Sequence, residues 1–329
     1  MRARRVISVA LPIAGAVALA AFLAWKIDFR RAWEAVRGAD RSWLACACVA
    51  SVALTGGSAV RVWWLLRWAG HARPIARCWS ANMAALTLNA VLPGRGGDLV
   101  KAVFLTHGRS EVRPLLGVML VERGIDVLAL ALIACGAALV RGLWPALAVA
   151  GGIVLAAVAG LVVLCLAHTR IRLPRLGRGM TEGAHRILTN PGATAGAIGL
   201  ALCFWAVNVL VFVCLLRAVG AEAPASAVAT AAPLAVLTGA LPISISGIGS
   251  RDAMLVWLLS GTVAQPVALA ASFLYLVVGY WMLALLGLAS LGRHTLAGVR
   301  RAAGAVAARE EPGREKPARD VSAGAGAEG

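Results

Sequence analysis

An all-α polytopic membrane bundle is the fold this sequence predicts. Three observations predict it: apolar runs recur from end to end, 60% of the 329 residues are hydrophobic against 14% charged, and mean hydropathy is +0.81. A hydrocarbon layer about 30 Å thick is crossed by about 20 helical residues. Lipid offers the backbone no hydrogen-bond partner, so such runs must form helices or a closed barrel. The alternation of barrel strands is absent from them.

The chain begins with Met1-Arg-Ala-Arg-Arg5 and an apolar run over residues 6–25. That run exceeds the roughly 7 to 15 residues of a signal-peptide core, so an uncleaved first helix is expected. Residues 26–42 then set Asp28, Arg30, Arg31, Glu34, Arg37 and Asp40 among Phe29, Trp33 and Val36 at helical spacing. This reads as an amphipathic helix lying along the interface. A second span covers 43–66, with Trp63, Trp64 and Trp68 as an aromatic anchor and Arg61 placed to snorkel. Further apolar runs cover 79–92, 124–140, 145–167, 193–216, 225–241, 253–263 and 266–291, two of them stopping at Leu-Pro before a glycine-rich break. Beyond residue 292 the chain turns to Arg, Glu, Ala, Gly and Pro without periodicity, the composition of a disordered segment. The expected organisation is a transmembrane domain over 1–292 and a basic cytoplasmic tail over 293–329.

If both Leu-Pro regions are re-entrant or broken helices, six full crossings remain. The N-terminus, residues 67–77, 106–113, 169–190 and the tail then share one face carrying 20 Lys and Arg, against 6 on the other. The excess of positive charge in cytoplasmic loops predicts that both termini are cytoplasmic, in the cell membrane of a prokaryote. A net charge of +17 is also the footprint of phosphate-backbone binding. Its placement in short loops and the tail excludes nucleic acid from the expected partners. The seven cysteines lie in or beside apolar segments without metal-site spacing and read as small buried hydrophobes. Cys46 and Cys48, two residues apart, point to different sides of a helix.

Charge inside the membrane is where function is expected. Arg61, Arg95, Lys101, Arg123, Arg217 and Arg251, with Asp98, Glu122, Asp126 and Asp252, fall within or at the margins of apolar runs. Each costs about 2.5 to 3.5 kcal/mol at a helix centre on insertion scales, so such residues face a bundle interior or a wet cavity. The first cluster runs from Asn89 through Leu92-Pro93-Gly94-Arg95-Gly96-Gly97-Asp98 to Lys101. Pro93 ends a helix, the glycines permit a tight turn, and Asp98 is a candidate N-cap for the next helix. Free N–H groups at such a start, with Arg95 beside them, suit a phosphate; the alternative is an Arg and an Asp that simply pair. A second cluster, Leu241-Pro242 with Gly247, Gly249, Arg251 and Asp252, repeats this grammar. Paired broken helices in corresponding halves point to a substrate site and an inverted repeat. Between them Glu122, Arg123 and Asp126 place two carboxylates four apart on one helix face, where a cation or proton must intervene. Arg61, Arg95 and Arg251 are equally eligible partners. A buried structural ion network and a proton-coupled or headgroup-binding role both fit.

These three clusters in this order resemble the lysylphosphatidylglycerol synthase transmembrane-domain family, also described as flippase-like, over about residues 1–292. Arg61-Val-Trp-Trp-Leu-Leu66 is similar to the end of the family's second helix. Asp252 departs from the more usual Glu, and the soluble aminoacyltransferase domain of bifunctional members does not follow the membrane region here. The resemblance implies handling of lipids with anionic, aminoacylated or polyprenyl-linked headgroups. The leading expectation is a lipid flippase in which Arg95, Lys101 and Arg251 hold a phosphate while Asp98, Glu122, Asp126 and Asp252 organise those cations or exchange protons. Asn89, Gly96, Gly97, Arg123, Gly247 and Gly249 complete the candidate substrate-binding set; no catalytic residue, metal or cofactor is expected. The rivals are a membrane-embedded transferase acting on polyprenyl-phosphate or glycolipid intermediates and a noncatalytic accessory subunit of lipid synthesis. Absence of an Asp-Asp or Asp-x-Asp pair to hold Mg²⁺ favours transport. Membrane lipids are the expected partners, with a homo-oligomer or a lipid-synthesis enzyme as the protein partners these features allow.

Overall fold

The structure is a computed structural model that describes residues 29–89, 97–106, 108–170, 175–241 and 248–294. The expected first helix over 6–25, both Leu-Pro breaks, Arg95, Gly96, Gly247 and the tail beyond His294 lie outside the described residues. Among the described residues the regular elements are helices. In chain order they are α1 (Phe29–Arg37), α2 (Arg41–Trp68), α3 (Ile75–Asn89), α4 (Gly97–Leu105), α5 (Val112–Val140), α6 (Trp144–Arg170), α7 (Arg175–Leu188), α8 (Pro191–Ala218), α9 (Ala225–Gly239), α10 (Ser250–Leu259) and α11 (Gln265–Leu276). The last passes through a π-helical turn at Val277–Met282 and stays helical to residue 294. Five of these are long and apolar enough to cross a membrane: α2, α5, α6, α8 and the helix over Gln265–His294. By contact clustering the chain divides into Met1–Leu291 and Gly292–Gly329, and the description that follows concerns the first.

Residues 40–89 and 190–239 are two copies of one design, offset by 150 positions. Asp40 caps α2 by accepting from Ser42 N–H at 2.7 Å, and Asn190 caps α8 by accepting from Ala193 N–H at 3.0 Å. Both helices run for 28 residues. Both stop at a glycine in the left-handed region, Gly70 at φ +81° and Gly220 at φ +77°. Each then closes with the same pair of bonds, His71 N–H to Leu66 O at 2.9 Å matched by Ala221 N–H to Leu216 O at 2.9 Å. Pro74 and Pro224 next open α3 and α9, each 15 residues long, and each is followed past a break by a short arm, α4 or α10.

The two copies point in opposite directions. Trp64, near the end of α2, donates to Ala193 O at the start of α8 at 3.0 Å, while Arg217 near the end of α8 lies 4.8 Å over the ring of Trp43 at the start of α2. Gly196 lets the pair close: a Cβ there would come 2.5 Å from Trp64. The halves also exchange their amphipathic helices, α1 packing on α11 and α7 on α5. Gly117 of α5 lies directly against the backbone of Met180 in α7. The inverted repeat suggested by the paired Leu-Pro breaks is therefore present, and its clearest trace is the helix and loop that precede each break.

Two boundaries differ from the apolar runs. The run starting at 124 is the second half of α5, which begins at Val112 and so carries Glu122, Arg123 and Asp126 in its interior. The run at 79–92 belongs to a helix that starts at Ile75. Both extensions contain polar residues whose partners are inside the bundle, which hydropathy alone cannot register.

Candidate functional site

Six charged side chains from three helices meet in the membrane domain. Arg61 comes from α2, Asp98 and Lys101 from α4, and Glu122, Arg123 and Asp126 from α5. Lys101 Nζ donates to both oxygens of Glu122, at 2.9 and 2.8 Å, and stands 3.7 Å from Asp98. Arg123 pairs with Asp98 at 2.8 Å and with Asp126 at 3.5 Å. Asp126 also takes a hydrogen bond from Arg61 and one from Trp205 Nε1 at 2.9 Å. Arg61 is held flat, 4.7 Å from the Phe204 ring.

Among the described residues this cluster sums to three cations and three carboxylates. The side chains of Lys101 and Glu122 are each only 1% exposed, so neither could remain ionised without the other. Sequence spacing left the partner of the Glu122–Asp126 face open; the structure divides the work, Lys101 serving Glu122 and Arg61 serving Asp126. Asp98 lies in the first turn of α4, after Gly97. Gly97 is needed there because a Cβ would stand 2.5 Å from Ala85 O and 2.7 Å from Asn89 Oδ1 of α3. The two arms of the broken helix thus touch backbone to backbone.

The second cluster is built differently. Asp252 reaches back to the N–H of Gly249 at 2.9 Å, capping α10, and Gly249 adopts φ +87°, a conformation that favours glycine. Its other oxygen takes bonds from Arg251 at 2.7 Å and from Ser272 Oγ at 2.6 Å. The Arg251 guanidinium sits 5.3 Å from the Tyr275 ring and 5.5 Å from the Tyr280 ring, completely enclosed. Tyr275 in turn exchanges hydrogen bonds with Asn208 and stacks on Phe212 at 4.0 Å.

A cavity of about 100 Å³ lies between these groups. Arg61, Asp98, Glu122, Arg123 and Asp126 line one side, and Asn208, Tyr275 and Tyr280 another. Asn89, from the end of α3, is on its wall; Lys101, Arg251, Asp252, Gly97 and Gly249 stand behind the lining. The two clusters consequently flank one cavity, with the Tyr275 and Tyr280 rings interposed between it and Arg251. Sequence reasoning did not pick out Ser58, Asn82, Trp205, Asn208, Tyr275 or Tyr280. Asn82 and Asn208 carried a usable signal, a carboxamide inside an apolar run, of the same kind that marked the charges.

A family model described as the lysylphosphatidylglycerol synthase TM region matches residues 7–287. No curated protein matches the chain. The match spans the membrane domain from end to end, and the chain belongs to that family.

Proposed function

We propose, on the premise of that membership, that this protein is a membrane lipid transporter, a flippase for a lipid with an anionic or modified headgroup. The observation that carries the reading is the polar cavity walled by five charged side chains inside helices that are otherwise apolar. Polar volume of this kind is costly to keep in a membrane and is maintained where something charged must pass or reside. Support comes from the architecture: two oppositely directed halves with broken helices in corresponding places are a frame for presenting one site to either face in turn. Volume is consistent with the chemistry too, since one water-sized sphere needs about 10–15 Å³, leaving room for several waters or one phosphate group. Arg123 is the most open of the cations in the wall, its side chain 29% exposed, and bridges two carboxylates that an incoming phosphate can replace. Arg95, which lies outside the described residues, is proposed as a second phosphate ligand on its place in the Gly-Arg-Gly-Gly-Asp sequence.

The test is headgroup accessibility in proteoliposomes carrying fluorescent or chemically quenchable anionic, aminoacylated and polyprenyl lipids. Purified protein is expected to move at least one of them across the bilayer without changing it chemically. Arg95→Ala should slow that movement roughly ten- to a hundredfold, the loss of one charge-assisted bond. No movement of any of these lipids, with turnover of a sugar-phosphate or prenyl donor instead, would overturn the reading in favour of a transferase.

A further inference from the structure

The charged groups of the cavity wall have partners within the protein, and a neutral polar atom beside them does not. Asn82 lies in the middle of α3, 3% exposed, and its carboxamide oxygen accepts from Ser58 Oγ of α2 at 2.9 Å. Its amide nitrogen Nδ2 is buried with no partner among the described residues. Asn82, Leu86 and Asn89 recur at helical spacing and all three line the cavity, so the stripe runs along α3 toward the break. Facing it, Ser51, Thr55, Ser58 and Arg61 make the matching stripe on α2. Ten residues of helix rise about 15 Å, so this seam extends through about half of a hydrocarbon layer. Thr55 does not serve Asn82, because its hydroxyl donates to Val52 O at 2.7 Å and accepts from Trp79 Nε1 at 3.1 Å. A buried amide donor without an acceptor is unfavourable unless something fills the space beside it.

We propose that Asn82 Nδ2 donates to a phosphate oxygen of the lipid headgroup, making Asn82 a specificity-determining residue of the cavity. The proposal rests on the transporter reading above and adds a residue and a recognised atom to it. Phosphate is favoured over a donor group because Ser58 holds the carboxamide oxygen, turning the N–H side to the cavity, and because Arg123 lines the same space. A neutral donor suits the middle of a translocation seam: it can hold an oxyanion without adding a fixed charge that must be paired whenever the lipid is absent.

The experiment measures binding rather than movement. Full-length protein in nanodiscs of zwitterionic lipid is titrated with dioctanoyl phosphatidylglycerol, with a dioctanoyl galactosyl glyceride that lacks phosphate, and with inorganic phosphate. Wild type is compared with Asn82→Ala, Asn82→Asp and Ser58→Ala. We expect Asn82→Ala to weaken phosphatidylglycerol binding about tenfold and Asn82→Asp at least as much, with the galactosyl glyceride indifferent to both. Ser58→Ala, which frees the amide to rotate, should show a smaller loss in the same direction. Thermal stability of unliganded Asn82→Ala should stay at the wild-type value, since the donor it removes is unpaired. Phosphate bound in an Asn82-dependent way without the lipid would assign the same contact to free phosphate. Unchanged phosphatidylglycerol affinity in the Asn82 variants sinks the contact and leaves the transporter standing, as does a loss of affinity matched by a loss of stability. If wild type binds neither lipid nor phosphate, the transporter reading itself falls.

Discussion

At the scale of single residues, the cost of keeping charge in the membrane domain is met by pairing, and pairing makes its own demands. Lys101→Ala would strand Glu122 at a site where its side chain is 1% exposed. Removing one partner of a buried pair costs about 3–5 kcal/mol, whereas replacing both with apolar groups of similar volume is often neutral. Lys101→Ala should therefore melt well below wild type in detergent, while Lys101→Met combined with Glu122→Leu recovers most of the loss. A double variant no more stable than the single one would show that this pair does more than balance itself. Arg251→Ala belongs to the same class, because the guanidinium is enclosed by Tyr275, Tyr280 and Asp252 and stands behind the cavity lining. Its first effect is expected on folded yield, so quantified folded protein must accompany any transport measurement. The sequence showed which residues needed partners; it could not show the partners, because Arg61 and Asp126 are 65 positions apart and meet only through helix packing.

Among elements, the broken helices depend on close backbone approach, and the glycines that permit it are separable from those that do not. Gly97 sits against Ala85 and Asn89, and Gly287 against Met83 and Thr87, joining α3 to both α4 and the last helix. Thr87 adds a bond to Ala284 O at 2.8 Å across the same contact. Gly199 of α8, by contrast, faces open space, with nothing within 4 Å of the point a Cβ would occupy. Overpacking of a tight contact costs about 1–3 kcal/mol. Gly97→Ala and Gly287→Ala should each lower the melting temperature and reduce transport together, while Gly199→Ala changes neither. Equal behaviour of all three would mean that the arms of the break are free to separate. Hydropathy located these helices because burial in lipid and burial in protein look alike to it. For the same reason it missed where α5 begins: Val112–Arg123 is helical by packing on α7, and its charges hide that from an apolar count.

For the whole molecule, the inverted repeat was legible in part. The Leu-Pro, glycine and Arg-Asp grammar pointed to two related halves, but the stronger evidence lay in residues chosen by geometry rather than chemistry. Asp40 and Asn190, Gly70 and Gly220, and Pro74 and Pro224 keep one spacing because each performs the same capping, stopping or starting task. What no spacing could supply is direction, which comes from Trp64 meeting Ala193 and Arg217 meeting Trp43. Antiparallel packing of two membrane-crossing helices puts the loops that follow them on opposite faces. Residues 69–74 are thus expected at one surface and residues 219–224 at the other, and the distribution of Lys and Arg assigns the first to the cytoplasm. The measurement is single-cysteine labelling in a background without the native cysteines. Ala72→Cys and Glu222→Cys are suitable probes because both positions are exposed. In right-side-out vesicles a membrane-impermeant maleimide should label Glu222→Cys directly and Ala72→Cys only after the membrane is opened. Labelling of both from the same face would contradict the opposed halves, while labelling of Ala72→Cys alone from outside would keep them opposed and reverse the orientation.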